Sequence, residues 1–272
     1  MDYLRPDSLE QALAAAAGGA RVLAGGTDLY PLAGPRLKGP VMDLAALPGI
    51  TGIAEGPEGL RIGACTSWTA IAEASLPPAT RALQQAALQV GGRQVQNAGT
   101  IGGNLCNASP AADGVPPLLV LGAKVELASA TGTRLLALED FLLGPRRVDL
   151  RPGELLAAVL LPRAGLAGVS AFGKLGARAH LVISIASAAV RLEVSGGRIE
   201  AAAVAVGACS PVPRRLPSVE AALCGPVEGA AARVDPAAVA AALAPIDDVR
   251  ASAAYRLRAA AELVRRAVEA AL

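Results

Sequence analysis

Metal-binding residues are scarce in this sequence. It contains one histidine and four cysteines in 272 residues, and Cys65, Cys106, Cys209 and Cys224 are too scattered for a zinc or iron–sulfur ligand set. A metal centre of the chain's own is therefore not expected, and the cysteines read as free thiols in a reducing compartment. Neither sign of charge dominates. Lys and Arg number 25 against 23 Asp and Glu, a formal +2, too weak a field to hold nucleic acid or an acidic membrane face. Long apolar runs are lacking as well. The mean hydropathy of +0.45 comes largely from alanine, and no predominantly apolar run reaches the ~18 residues of a bilayer span. The opening MDYLRPDSLEQ puts charges where a signal peptide needs an apolar stretch, which predicts a cytoplasmic protein.

What is present is apolar material for a sizeable core, 53% of the residues, enough for two or three compact units. Ser8 with Gln11 three residues on reads as the start of an alanine-rich helix that stops at Gly18-Gly19. Short strands are predicted at 21–24, 41–44 and 50–55, the last turning through Gly56-Pro57-Glu58-Gly59 into 60–64. A helix opens at Thr66 or Ser67. Another follows Pro77-Pro78, with Leu83, Ala86, Ala87 and Val90 on one face. Beyond the segment NAGTIGGNLCNASPAAD at 97–113 come an apolar helix start at 115–121, strands at 124–128 and 154–161, and a linker at 163–168. Two antiparallel strands then meet at Gly196-Gly197, and SAAYRLRAAAELVRRAVEAAL closes the chain as a helix.

Two segments share a pattern: AGGTDLYP at 24–31 and GTIGGNLCN at 99–107. Paired glycines permit positive φ and close approach, so successive N–H groups can line one concavity that accepts an anion such as a pyrophosphate. Thr27, Thr100 and Asn104 would add side-chain donors. Ordinary turns are the alternative for either segment alone. Neither is the Gly-x-Gly-x-x-Gly of a Rossmann turn. GVSAFGKL at 168–175 places Leu175 where a magnesium-binding Ser or Thr would be needed, so ATP hydrolysis is not supported.

These residues, with TIGGNLCNASPAADGVPPLLVLGAKVEL, the LLP at 160–162 and FGKLGARAHLVISIASAAV at 172–190, resemble in order and spacing the FAD-binding medium subunit of molybdenum hydroxylases, the xanthine dehydrogenase and carbon monoxide dehydrogenase family. The resemblance implies an α+β fold: a two-part FAD-binding domain of the vanillyl-alcohol oxidase type over 1–164, divided near residue 50, and a smaller C-terminal α+β domain over 165–272. It implies an oxidoreductase subunit that passes electrons from iron–sulfur clusters through FAD to an external acceptor. The iron–sulfur clusters would sit on a small partner subunit and the molybdenum cofactor on a large one, assembled as a dimer of heterotrimers. The FAD would be non-covalent, since no histidine lies near the first loop. No catalytic acid or base is demanded. By the same resemblance Leu23, Ala24, Gly25, Gly26, Thr27, Asp28, Leu29 and Tyr30 line one side of the pyrophosphate, and Gly99, Thr100, Ile101, Gly102, Gly103 and Asn104 the other. Asp113 would lie near the ADP ribose, and Leu161 and Lys174 near the flavin ring.

Read as residues alone, Asp113 could equally cap the helix near Gly114, Leu161 could be plain core, Lys174 a solvated strand end and His180 a surface residue. Asp28, Cys106 and Asn107 depart from the family pattern, the last two at positions where carbon monoxide dehydrogenases resemble Ala-His, which argues against that substrate. Two rival functions stay open: a stand-alone flavin oxidoreductase of the same fold, and a non-catalytic assembly subunit with a vestigial nucleotide pocket.

Overall fold

In the computed structural model, which describes residues 2–34 and 37–272, the chain builds three larger sheets in succession, with a two-stranded hairpin of Leu142–Gly144 and Arg147–Val148 between strands of the second. The first is parallel, with Val41–Asp43 paired between Tyr3–Leu4 and Arg21–Leu23. Its crossover helix Leu9–Ala17 is capped by Ser8, whose Oγ accepts the Gln11 N–H at 3.3 Å. That bond satisfies a donor the helix itself cannot use. Arg21–Leu23 runs directly into the glycine turn at 24–28, so the sheet fixes where that turn starts.

The second sheet is antiparallel, in the order Ile53–Gly56, Gly59–Gly63, Leu155–Pro162, Lys124–Ser129, Gly132–Ala137. The hairpin predicted around Gly56–Gly59 is there. The strand Gly132–Ala137 was not foreseen, because it is an edge strand with no fully buried residue and hence no apolar signal. Short helices cover this sheet: Trp68–Glu73 capped by Ser67, then Arg81–Ala87, Arg93–Ala98, Ile101–Asn107 and Val115–Val120. Trp68, Ile71, Leu83, Ile101, Leu105 and Leu118 are fully buried between them, and each such side chain contributes about 1.5–3 kcal/mol by leaving water.

The segment expected to be an irregular glycine loop is helical. Thr100 caps Ile101–Asn107, its Oγ1 accepting the Gly103 N–H at 3.1 Å. Low helix propensity is overridden here by tertiary contact: Gly102 packs so closely on Ala64 that a Cβ would lie 2.7 Å from the Ala64 carbonyl oxygen.

The third sheet runs Val169–Leu175, Ala186–Ser195, Arg198–Gly207, Arg214–Arg215, with Gly225–Pro226 pairing back onto Arg198–Ile199. The long helix Ala253–Ala271, capped by Ser252, packs on its outer face. Its inner face joins the core of the second unit, where Phe172, Ala189, Ala203 and Ala205 continue the apolar cluster of Ile62, Leu83 and Leu118.

Polar contacts zip the two together. Ser170 Oγ accepts the Ala82 N–H at 2.8 Å, the Phe172 N–H donates to Gln85 at 2.8 Å, and Lys174 Nζ donates to the Gln89 carbonyl at 3.2 Å. Two residues of strand advance about 6.7 Å and three or four of helix about 4.5–6 Å, so alternate strand residues can meet successive helical turns. Arg191 and Arg215 donate to the carbonyls of Val120 and Leu119 at the end of Val115–Val120, at 2.9 and 3.2 Å.

Leu105 is buried and Leu135 is half exposed. Leu105→Ala is expected to cost about 2–5 kcal/mol in urea unfolding, and Leu135→Ala less than about 0.5 kcal/mol.

Candidate functional site

A cavity of about 860 Å³ lies where the three units meet, within the ~300–1,000 Å³ range of small-molecule and cofactor sites. Four segments wall it.

The first is the glycine turn. Ala24, Gly25, Gly26, Thr27, Asp28 and Leu29 line the cavity. Gly26 has φ +70, which a side chain would strain, and a Cβ there would also strike the Tyr30 ring at 2.4 Å. Leu23 is buried beneath the turn and Tyr30 lies outside it, so neither lines the cavity. Among the described residues, the main-chain N–H groups of Gly25, Gly26, Thr27 and Asp28 have no protein acceptor. Four successive free donors on one concave turn suit an anion.

The helix Ile101–Asn107 is the second wall, and it corrects an expectation. Gly99, Thr100, Gly102, Gly103 and Asn104 line the cavity, but Ile101 is buried in the core. Five of its six main-chain donors are already used: Gly99 N–H on Val95, Ile101 on Thr66, Gly102 on Ala64, Gly103 on the Thr100 hydroxyl and Asn104 on the Thr100 carbonyl. This segment is therefore no second nest of free N–H groups. Its glycines serve close packing, and what it offers the cavity is a side chain. Asn104 Oδ1 is buried with no hydrogen-bond partner among the described residues, a cost that a bound donor would remove.

The third wall is Leu155 and Leu156 from Leu155–Pro162. Leu161 does not reach the cavity; it is buried in the core opposite Leu60.

Lys174 and Asp113 form the fourth. Lys174 Nζ lies 2.6 Å from Asp113 Oδ2, and Ser184 Oγ donates to Asp113 Oδ1 at 2.5 Å. Both charged side chains are more than nine-tenths buried. Burial raises the Asp113 carboxyl above the usual carboxylate range, against the lowering influence of Lys174 and Ser184. Asp113 does not cap the following helix, whose N-cap position is Gly114, and Lys174 is not a solvated strand end. The direct ion pair puts both side chains at one place on the cavity wall, as a mutually neutralising unit.

Sequence reasoning missed Leu155, Leu156, Arg146 and the segment Leu181–Ile183, all of which border the cavity. The leucines were visible as a buried strand, but not their facing. For Arg146 and the segment there was no signal. His180 is exposed and away from the cavity. Cys65, on the cavity wall, has its thiol pushed up to about 11 by burial, with the nearby Asp43 adding to the effect. No helix among the described residues is long and apolar enough to cross a membrane.

A two-domain α+β chain with a run of unpartnered main-chain donors on a turn that lines a ligand-sized cavity is suited to an anionic ligand. Comparison with known proteins makes this specific. The family described as "FAD binding domain in molybdopterin dehydrogenase" matches residues 1–164, and "CO dehydrogenase flavoprotein C-terminal domain" matches 171–271. The carbon monoxide dehydrogenase medium chain of Afipia carboxidovorans is 32% identical over 98% of this chain and 95% of its own. The xanthine dehydrogenase FAD-binding subunit of Escherichia coli O157:H7 is 34% identical over 74% and 70%. Among solved structures, reconstituted CO dehydrogenase from Oligotropha carboxidovorans superposes with a TM-score of 0.90 at 32% identity, covering 100% of this chain and 97% of that one. Quinoline 2-oxidoreductase from Pseudomonas putida 86 gives 0.89 at 27%, covering 100% and 96%. The chain belongs to the family of FAD-binding medium subunits of molybdenum hydroxylases, and it is an oxidoreductase flavoprotein subunit.

The buried pair yields a pH test. Lys174→Met strands the Asp113 carboxylate and is expected to cost about 3–5 kcal/mol at neutral pH. With its opposing influences reduced, the folded-state carboxyl rises further above its unfolded value. Protonation then favours the folded variant, so the deficit shrinks as the pH falls toward and below the raised value. Urea midpoints of both proteins across neutral to acidic pH check the sign; a deficit that grows on acidification would contradict it.

Proposed function

We propose that this chain holds the FAD through which a molybdenum hydroxylase hands electrons to an external acceptor. In this reading a small subunit carries iron–sulfur clusters and a large one the molybdenum cofactor, in a dimer of heterotrimers. The observation that carries it is the pairing, across one cavity, of four free main-chain donors at Gly25–Asp28 with the unpartnered Asn104 Oδ1.

The donor set fits the group. Gly25–Asp28 would take the diphosphate oxygens, with the Thr27 hydroxyl beside them. Asn104 Oδ1 would accept a hydrogen from the cofactor, and Leu155 and Leu156 would pack against an apolar ring face. When bound, FAD supplies the exchange between one-electron and two-electron redox partners. The chain binds and orients it, and keeps water from the buried Lys174–Asp113 unit. That unit carries no net charge, so Lys174 alone does not set the potential; Ser184 and Asp113 share in setting the local field.

The purified complex is expected to show a flavin visible spectrum, with FAD released by denaturation at one equivalent per chain. A colourless protein that cannot be reconstituted would instead favour a vestigial pocket. Turnover of an organic substrate by the chain alone would favour a stand-alone oxidoreductase. Asn104→Leu is expected to weaken FAD retention roughly ten- to a hundredfold, matching the ~1–3 kcal/mol of a lost buried polar pairing, with the melting temperature of the FAD-free protein not lowered.

A further inference from the structure

Five charged side chains border the cavity: Arg21, Asp28, Asp113, Arg146 and Lys174. Lys174 and Asp113 neutralise one another. Arg146 is held in another way. It occupies the tight turn between Leu142–Gly144 and Arg147–Val148 with φ +59, a conformation that Gly or Asn adopts at lower cost. Its N–H donates to the Ala108 carbonyl at 2.9 Å, and Ala108 is itself left-handed, with φ +44. The turn is thereby pinned to the C-terminal end of the helix Ile101–Asn107.

The side chain is tethered too. Arg146 Nη1 donates to the Asn107 carbonyl at 3.3 Å and to Asn107 Oδ1, while Asn107 Nδ2 donates to Asp28 Oδ1 at 2.9 Å. The amide can lie only this way round, since the reverse would set an NH2 against the guanidinium and an oxygen against the carboxylate. Asn107 acts as a spacer. It keeps the Asp28 carboxylate from taking the guanidinium fork, and Nε and Nη2 have no acceptor among the described residues. A guanidinium with free donors is matched in geometry and charge to paired phosphate oxygens. The run of free N–H groups includes that of Asp28, one amide away.

We propose that Arg146 seats a phosphate group at the cavity mouth, with Asn107 and Ala108 holding it in position. The choice of phosphate rests on the nucleotide reading of the cavity. That phosphate belongs either to the diphosphate of the bound dinucleotide or to a nucleotide acceptor entering the mouth.

Inorganic pyrophosphate titrated calorimetrically into the FAD-free full chain gives the first test, and it needs no flavin. Arg146→Asn, which suits the left-handed turn, is expected to weaken pyrophosphate about tenfold or more, and Arg146→Lys less, because it keeps the charge but loses the fork. Melting temperatures report whether each variant is folded. Affinity of Arg146→Asn within about twofold of the parent overturns the proposal. FAD retention, and reoxidation of the reduced flavin by NAD+ against neutral benzoquinone, then separate the sources. Weaker FAD identifies the dinucleotide, unchanged FAD with a slower NAD+ reaction alone identifies the acceptor, and no change in any of the three overturns the site. A chain that binds pyrophosphate through Arg146 but never takes up flavin would break the FAD reading while leaving this site standing.

Discussion

Backbone contact at Gly25 is the constraint on which the cavity depends. A Cβ there would lie 1.9 Å from the Ala98 carbonyl oxygen, so the turn that follows the first sheet rests directly on the chain entering the helix Ile101–Asn107. A second such contact, Gly102 on Ala64, seats that helix on the end of the antiparallel sheet. With both in place the turn is held against that helix, and Gly25–Asp28, whose N–H groups have no protein acceptor among the described residues, line the cavity. The glycines that resemble one another in sequence thus act differently. Gly26 adopts a conformation side chains avoid, while Gly25 and Gly102 provide room for main chain to touch main chain.

The far wall is positioned by a match of periods. Ser170, Phe172 and Lys174 bond in turn to Ala82, Gln85 and the Gln89 carbonyl, which carries Lys174 to Asp113. A buried ammonium is tolerable there because Asp113 and the carbonyl accept from it, and the buried carboxylate because Ser184 donates to its other oxygen. The result is a fixed dipole beside the cavity rather than a free charge.

Much of this was legible in the sequence. Ser8 announces its helix through its cap, a second helix was placed at Thr66 or Ser67, where Ser67 proves to be the cap, and the apolar runs at 60–64 and 154–161 and on either side of Gly196-Gly197 mark the buried strands. The glycine turn at 24–29 was visible as an anion-binding candidate because its chemistry is local. Other features were not visible because they are not local. The partners that consume the N–H groups of Gly99 and of 101–104 come from residues 64, 66, 95 and 100, and only the fold says that Ala64 and Thr66 are near. That Leu161 points into the core while Leu155 and Leu156 border the cavity is likewise a matter of facing, which composition does not record. Arg146 carries no motif: its place at the mouth is set by a hairpin whose strands are two or three residues long.

The helix Val115–Val120 lies in the first domain, yet its final carbonyls are satisfied by Arg191 and Arg215, which are synthesised some 70 to 100 residues later. Until the ribosome has released that later stretch, the helix end has no guanidinium partners and the pocket has only part of its lining. The C-terminal sheet thus brings with it both the partners of that helix end and the last part of the cavity wall, Lys174 and the segment Leu181–Ile183.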